Sequence, residues 1–258
     1  MGPSELFELC LASLPPVVPG TLWRAWVLAP ETLVPLLGLL ALPWLPGLRA
    51  RVGNGERWSW LLGCLLLAIA LVSPLCRLAA TLASMHMVQH LLVILLAPAA
   101  MAPLLLRVRL PLSAPALTTP TLATPTLATL LFGGLIWLAH APPVYEAALL
   151  SPTLHLLLLV ASFGVALLFW CAALAVEPLR GMGMVFVTML HSGLLAALLT
   201  FSPRLWYPVF GSGPLAWGLT PLADQQLAGL IMWVPMALLL LLAGFWIAAR
   251  GLGHQTLH

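Results

Sequence analysis

The sequence predicts an all-α fold, a polytopic membrane bundle of seven transmembrane helices with its amino terminus outside and its carboxyl terminus cytoplasmic. Three observations carry that expectation. Charged residues are 7% of the 258 and hydrophobic ones 62%, with a mean hydropathy of +1.08, whereas soluble domains carry about 25% charge. Seven apolar stretches, each near the ~20 residues a bilayer requires, fall at 30–48, 58–76, 83–106, 121–141, 153–175, 182–202 and 223–249. Arginine then orients them. Arg49, Arg51, Arg57, Arg107, Arg109, Arg180 and Arg250 fall in one set of loops, and only Arg24, Arg77 and Arg204 in the other. The positive-inside rule makes the first set cytoplasmic.

Residues 1–29 form a periplasmic amino-terminal arm. Glu5 and Glu8 precede its first arginine, so it lacks the basic start of a cleaved signal peptide. Residues 30–250 make up the bundle. The first span opens with Pro30 and a first-turn acid, Glu31. Pro35, Pro43, Pro98 and Pro235 predict kinks that membrane bundles tolerate. A proline- and threonine-rich linker at 111–129 contains the tandem "TPTLATPTLAT", read as a tolerated duplication in a loop. Residues 251–258 form a cytoplasmic tail holding His254 and His258.

The polar residues of the spans gather at one depth. In "SMHMVQHLLVILLAP", His86 and His90 lie four apart on one face in the first turns of the third span, with Gln89 beside them. The fourth span ends in "WLAHAPPVYEAAL", placing His140 at its outer end. "SPTLH" places His155 at the outer start of the fifth, and His191 sits near the middle of the sixth. "PLADQQLAGLIMWVP" opens the seventh with Asp224 and Gln225, and Met232 follows on the same stripe. Ionisable groups in lipid face a bundle interior or a cavity. Five histidines from four spans in one half of the membrane therefore predict a shared pocket. His86, His90 and His191 are its expected inner ligands, and His140, His155 and Asp224 its mouth.

Imidazole with thioether suits copper, while imidazole alone also suits zinc or haem iron. Plainer readings stand beside each residue. The paired histidines are able to bond helix to helix, Asp224 to cap the last helix, and the methionines, Met85 and Met87 included, to fill the core. Tyr145, Trp137, Trp206 and Tyr207 read as interface anchors. Of four cysteines, Cys10 and Cys76 lie outside, leaving a disulfide open to them in an oxidising periplasm. No phosphate loop, serine elbow or zinc-protease motif is present, and no enzyme is expected.

The four strings "SMHMVQHLLVILLAP", "WLAHAPPVYEAAL", "LTFSPRLWYPVF" and "PLADQQLAGLIMWVP" resemble the seven-helix CtaG-type cytochrome c oxidase assembly factors, over Trp26 to about Arg250. The resemblance implies a bacterial inner-membrane protein that helps mature a haem–copper oxidase by binding or delivering copper. It carries over to His86, His90, His140, His155, Asp224 and Gln225. It departs at the fourth span, where the family's WHxP reads "WLAHAPP", and at the fifth, where His155 stands without further histidines. The implied partners are an oxidase subunit, a periplasmic copper chaperone and the surrounding lipid, with no nucleic acid. The rival readings are a bis-histidine haem protein and a cofactor-free assembly scaffold.

Overall fold

Proline sets where the helices begin. Pro30, Pro46, Pro74, Pro142, Pro152 and Pro178 each occupy a first helical position, where the missing N–H is no loss. Each forces the residue before it out of the helical region, as at Ala141 (φ −62°, ψ 125°). The computed structural model describes residues 10–108 and 123–255, without the side chains of 123–124 and 251–255. Among the described residues the chain is helical, with no strand.

In chain order the helices are α1 (Pro30–Ala41), α2 (Pro46–Arg49), α3 (Asn54–Leu71), α4 (Pro74–Ala79), α5 (Ala83–His90), α6 (Ala97–Val108), α7 (Ala123–His140), α8 (Pro142–Leu150), α9 (Pro152–Ala175), α10 (Pro178–Phe201) and α11 (Pro221–Gln255). A π-helical stretch, Leu91–Leu96, joins α5 to α6 into one span. Its cause lies downstream: the Pro98 ring would clash with the carbonyl of Ile94 in a regular helix, and a wider turn relieves the clash.

Every predicted span position holds a helix, but fewer helices are long enough to cross alone. Four pass on length and composition: Ala83–Val108, Pro152–Ala175, Pro178–Phe201 and Pro221–Arg250. A fifth crossing results if Pro125–His140 and Pro142–Leu150, bent by 73°, act together. The first predicted span is shortened by Pro43 and Pro46, which end α1 after 12 residues and a single 3-10 turn, Leu42–Trp44. The second begins with Glu56 and Arg57 in the first turn of the 18-residue α3, so its apolar part is brief. The tandem repeat is only partly a linker, since its residues from 123 onward already belong to α7 and the rest lie outside the described residues. The expected tail likewise begins inside α11, which runs on to Gln255.

Hydrogen bonds among the arm and the connections at 72–82, 141–151 and 202–220 place all four at one end of the bundle. Helices α10 and α11 run along each other, α9 packs on α6 and α7, and α3 on α6. Small residues permit the closest approaches. A Cβ on Gly229 would stand 2.6 Å from the Thr200 amide and 2.8 Å from the Ala196 carbonyl of α10. Large apolar side chains such as Leu130, Leu157, Phe186, Leu190, Val234 and Phe245 are exposed, a distribution suited to lipid.

The arm is fastened across the shared end. Cys10 and Cys76 form a disulfide, Ala12 N–H donates to Leu149 O at 3.0 Å, and Val17 N–H donates to Thr81 Oγ1 at 3.0 Å. Trp217 Nε1–H donates to Val17 O at 2.9 Å. Cys76 is therefore bonded and offers no thiolate to the nearby third span.

Because two of the three nearest neighbours of Gly229 are backbone atoms that cannot turn aside, Gly229→Ala forces α10 and α11 apart. It is expected to destabilise the protein by about 1–3 kcal/mol, read as a lower midpoint in thermal unfolding in detergent.

Candidate functional site

The site is built on α5, whose first turn has no side-chain cap of its own at Leu82. Asp224, at the start of α11, supplies one from across the bundle. Its carboxylate accepts from Ala83 N–H at 2.6 Å, Ser84 N–H at 3.2 Å and Ser84 Oγ–H at 2.5 Å. These are charge-assisted bonds at a helix amino terminus, where an anion is favoured. Gln225 and Gln226 fasten the neighbouring loop. Gln225 Oε1 accepts from Trp206 N–H at 2.6 Å, its Nε2 donates to Arg204 O at 3.0 Å, and Gln226 Nε2 donates to Ser202 O at 3.2 Å. The DQQ triplet thus engages α5 and the 202–206 turn, and neither Asp224 nor Gln225 lines the two cavities between the histidines.

With α5 held, its histidines meet. The rings of His86 and His90 lie edge to face with centroids 4.3 Å apart, and His90 meets His140 at 5.4 Å. His86 Nδ1 lies 3.2 Å from Ala79 O and His140 Nδ1 lies 2.8 Å from Ile136 O. A carbonyl only accepts, so in the neutral rings both Nδ1 atoms carry the proton and both Nε2 atoms keep a lone pair. His90 Nδ1 is buried without a partner among the described residues.

His140 ends α7 because Ala141 and Pro142 follow, and the chain turns there by 73° into α8. That turn lays Tyr145 over the cluster, 5.0 Å from the His86 ring and stacked on Tyr207 at 4.0 Å. Tyr207 O–H donates to His140 O at 2.8 Å. Burial pushes its phenol well above its ordinary value, so the donor proton stays in place. Both tyrosines, expected at the membrane interface, are instead buried against the histidines. His155 enters from α9, whose start is capped by Ser151 Oγ accepting from Leu154 N–H.

Two small cavities result. The larger, about 50 Å³, is lined by His86, His90, His155, Gln89 and Tyr145 among others, room for a few waters. Gln89 is held there by donating to Ala70 O at 2.9 Å and by lying 3.2 Å from Cys10 Sγ. The smaller, about 10 Å³, is lined by Met87, His90, His140, Met232 and Met236 with apolar neighbours. His90 borders both. Met87 does turn away from the His86–His90 line, as its spacing predicts, but toward His140, with Sδ 3.5 Å from Nε2.

His191, expected among the inner ligands, lines neither cavity. It stands against Gly133 of α7, both ring nitrogens without a partner among the described residues. The reason is helix order: α10 packs on α11 and α7, which stand between it and α5. Among the described residues no three His, Cys, Asp or Glu side chains are arranged to hold one metal ion as they stand. The arrangement offers imidazole lone pairs, one neutral amide and thioethers within mostly apolar walls.

Fold and cluster together define a multi-pass helical membrane protein that gathers imidazole and thioether donors at one end. The chain belongs to the cytochrome c oxidase caa3 assembly factor family (Caa3_CtaG), whose family model matches residues 36–252. No curated protein and no solved structure matches it.

If Asp224 fixes α5, Asp224→Ala leaves two buried amides unsatisfied, a loss of about 1–3 kcal/mol. Hydrogen exchange at residues 83–87 should accelerate in this variant while α9 is unaffected. Equal exchange rates would show that α5 is held by other contacts.

Proposed function

We propose that the protein assists assembly of a haem–copper cytochrome c oxidase by receiving copper at its histidine end and passing it to an oxidase subunit docked alongside. One observation carries this reading: imidazoles from α5, α7 and α9 meet at the same end of an apolar bundle. Placing them there is expensive in lipid, and helix-to-helix bonding explains little of it: among the described residues His86 Nδ1–H reaches Ala79 O of α4, His140 Nδ1–H bonds within its own helix, and His140 Nε2 faces only the Met87 sulfur. His86, His90 and His155 face the larger cavity and supply nitrogen donors, with His140 beside them. His155, in the first turn of α9, forms the mouth. The ion passes through unchanged, and the protein needs no catalytic group.

Orientation follows from charge. Arg49, Arg51, Arg57, Arg107, Arg180 and Arg250 lie toward the end opposite the histidines, while Arg24, Arg77 and Arg204 lie toward theirs. By the positive-inside rule the histidine end is periplasmic, in a bacterial inner membrane. There a copper chaperone has access and a Cys10–Cys76 disulfide persists. The full topology we propose is seven crossings, with α1 and α3 as short spans packed on each other at the edge of the bundle.

Haem fits poorly. A cavity of about 50 Å³ has no slot for a macrocycle, and the His86 and His90 rings, with centroids 4.3 Å apart, leave no plane between them.

Because ligation requires neutral imidazole, copper should be released at acid pH, once the rings take up protons. Metal analysis of purified protein beside a His86→Ala/His90→Ala variant tests the assignment. The wild type should retain copper and the variant lose most of it; equal copper in both contradicts it.

A further inference from the structure

We propose a distinct Cu(I) site in the smaller cavity, formed by Met87 Sδ and His140 Nε2, with Met232 and His90 completing the donor set. This rests on the copper-handling reading and adds to it an oxidation state and a second binding position.

The position of one proton on His140 sets up the site. His140 Nδ1 lies 2.8 Å from the Ile136 carbonyl, so the neutral ring carries its hydrogen there. Its Nε2 then holds a lone pair, and that lone pair faces the Met87 sulfur at 3.5 Å. A thioether sulfur is itself only an acceptor. Two acceptors confront each other in a pocket where His140 is 2% exposed and Met87 also 2%, with nothing of the protein between them. Protonating both nitrogens would satisfy the pair, at the expense of an unpaired cation buried in lipid-embedded protein. A metal cation between the two lone pairs resolves the same conflict.

The spacing agrees. Bonds of about 2.0 Å to nitrogen and about 2.3 Å to sulfur, meeting at a tetrahedral angle, put the donors about 3.5 Å apart. The remaining positions are supplied from two sides. Met232 and Met236 of α11 and His90 of α5 line the same cavity, and both methionines are buried. His90 keeps a nitrogen without a partner among the described residues. Thioether donors select Cu(I), whereas zinc and the harder divalent ions prefer nitrogen, oxygen or thiolate. The setting is also rigid: Tyr207 holds the His140 carbonyl, and the π-turn begins immediately after His90.

Because His90 borders both cavities, it gives an ion a shared ligand between the imidazole chamber of His86 and His155 and the thioether site. Transfer between the two then needs exchange of ligands around one ring and no exposure to lipid.

The test uses the purified full chain loaded with Cu(I) without oxygen, followed by X-ray absorption at the copper edge and by titration against a coloured Cu(I) chelator. The expected result is a sulfur scatterer near 2.3 Å beside nitrogen. Met87→Leu should remove sulfur signal and weaken Cu(I) binding on the order of tenfold or more, leaving Zn(II) binding unchanged. Met232→Leu, in a different helix, should weaken Cu(I) in the same direction and guards against misfolding of the first variant. His86→Ala/His155→Ala should keep the sulfur signature. A shell of nitrogen alone in the wild type, or unchanged Cu(I) affinity in both methionine variants, overturns the inference. If copper is then lost only in His86→Ala/His155→Ala, the imidazole reading survives without it. Loss only in the methionine variants supports this site and counts against the imidazole chamber. A wild type that binds no copper in either oxidation state overturns both.

Discussion

A single carboxylate fixes the working end of this protein. Asp224 reaches from the first turn of α11 to the first turn of α5 and accepts from two amides and a hydroxyl that lie about 140 residues away in sequence. The register of α5 depends on it, and so does the position of every donor that α5 carries: His86, Met87, Gln89 and His90. In water a helix start draws on solvent for its unpaired amides. Inside an apolar bundle it has to be given partners by the protein, and here the partner comes from the helix that also brings Met232.

The same demand explains the surrounding polar residues. Gln225 and Gln226 satisfy backbone groups of the 202–206 turn. Ser151 caps α9, and Gln89 bonds the Ala70 carbonyl. These groups position the site. The histidines differ from them, because their second nitrogens are left facing a cavity, a methionine sulfur or nothing. That contrast separates scaffolding from chemistry within a short stretch of sequence.

Much of the fold was legible in advance. Apolar stretches and prolines mark each helix, since lipid permits few alternatives to a helix and proline at its first position. What composition does not reveal is effective length. The first two spans are cut short by Pro43, Pro46 and the charged start of α3, and the fourth is bent at the prolines after His140. Convergence of His86, His90, His140 and His155 toward one end follows from their depth, which periodicity supplies. The position of His191 does not, because depth says nothing about which helices stand between two side chains. Met87 and the two tyrosines were also hidden: spacing shows that Met87 leaves the histidine line, but not that His140 waits where it points. The role of Asp224 as a cap for a different helix is a long-range contact that no local pattern encodes.

The protein thus places soft and borderline donors in a small, mostly apolar chamber at the end facing the arm and the loops. The central claim is that copper occupies this chamber and nowhere else. Crystals of the copper-loaded protein, measured for anomalous scattering at the copper edge, test it most directly. The account predicts density between α5, α7 and α11 or within the adjoining cavity lined by His86, His90 and His155. Density only at His191, at the tail histidines or at the surface, or none at saturating copper, would contradict it.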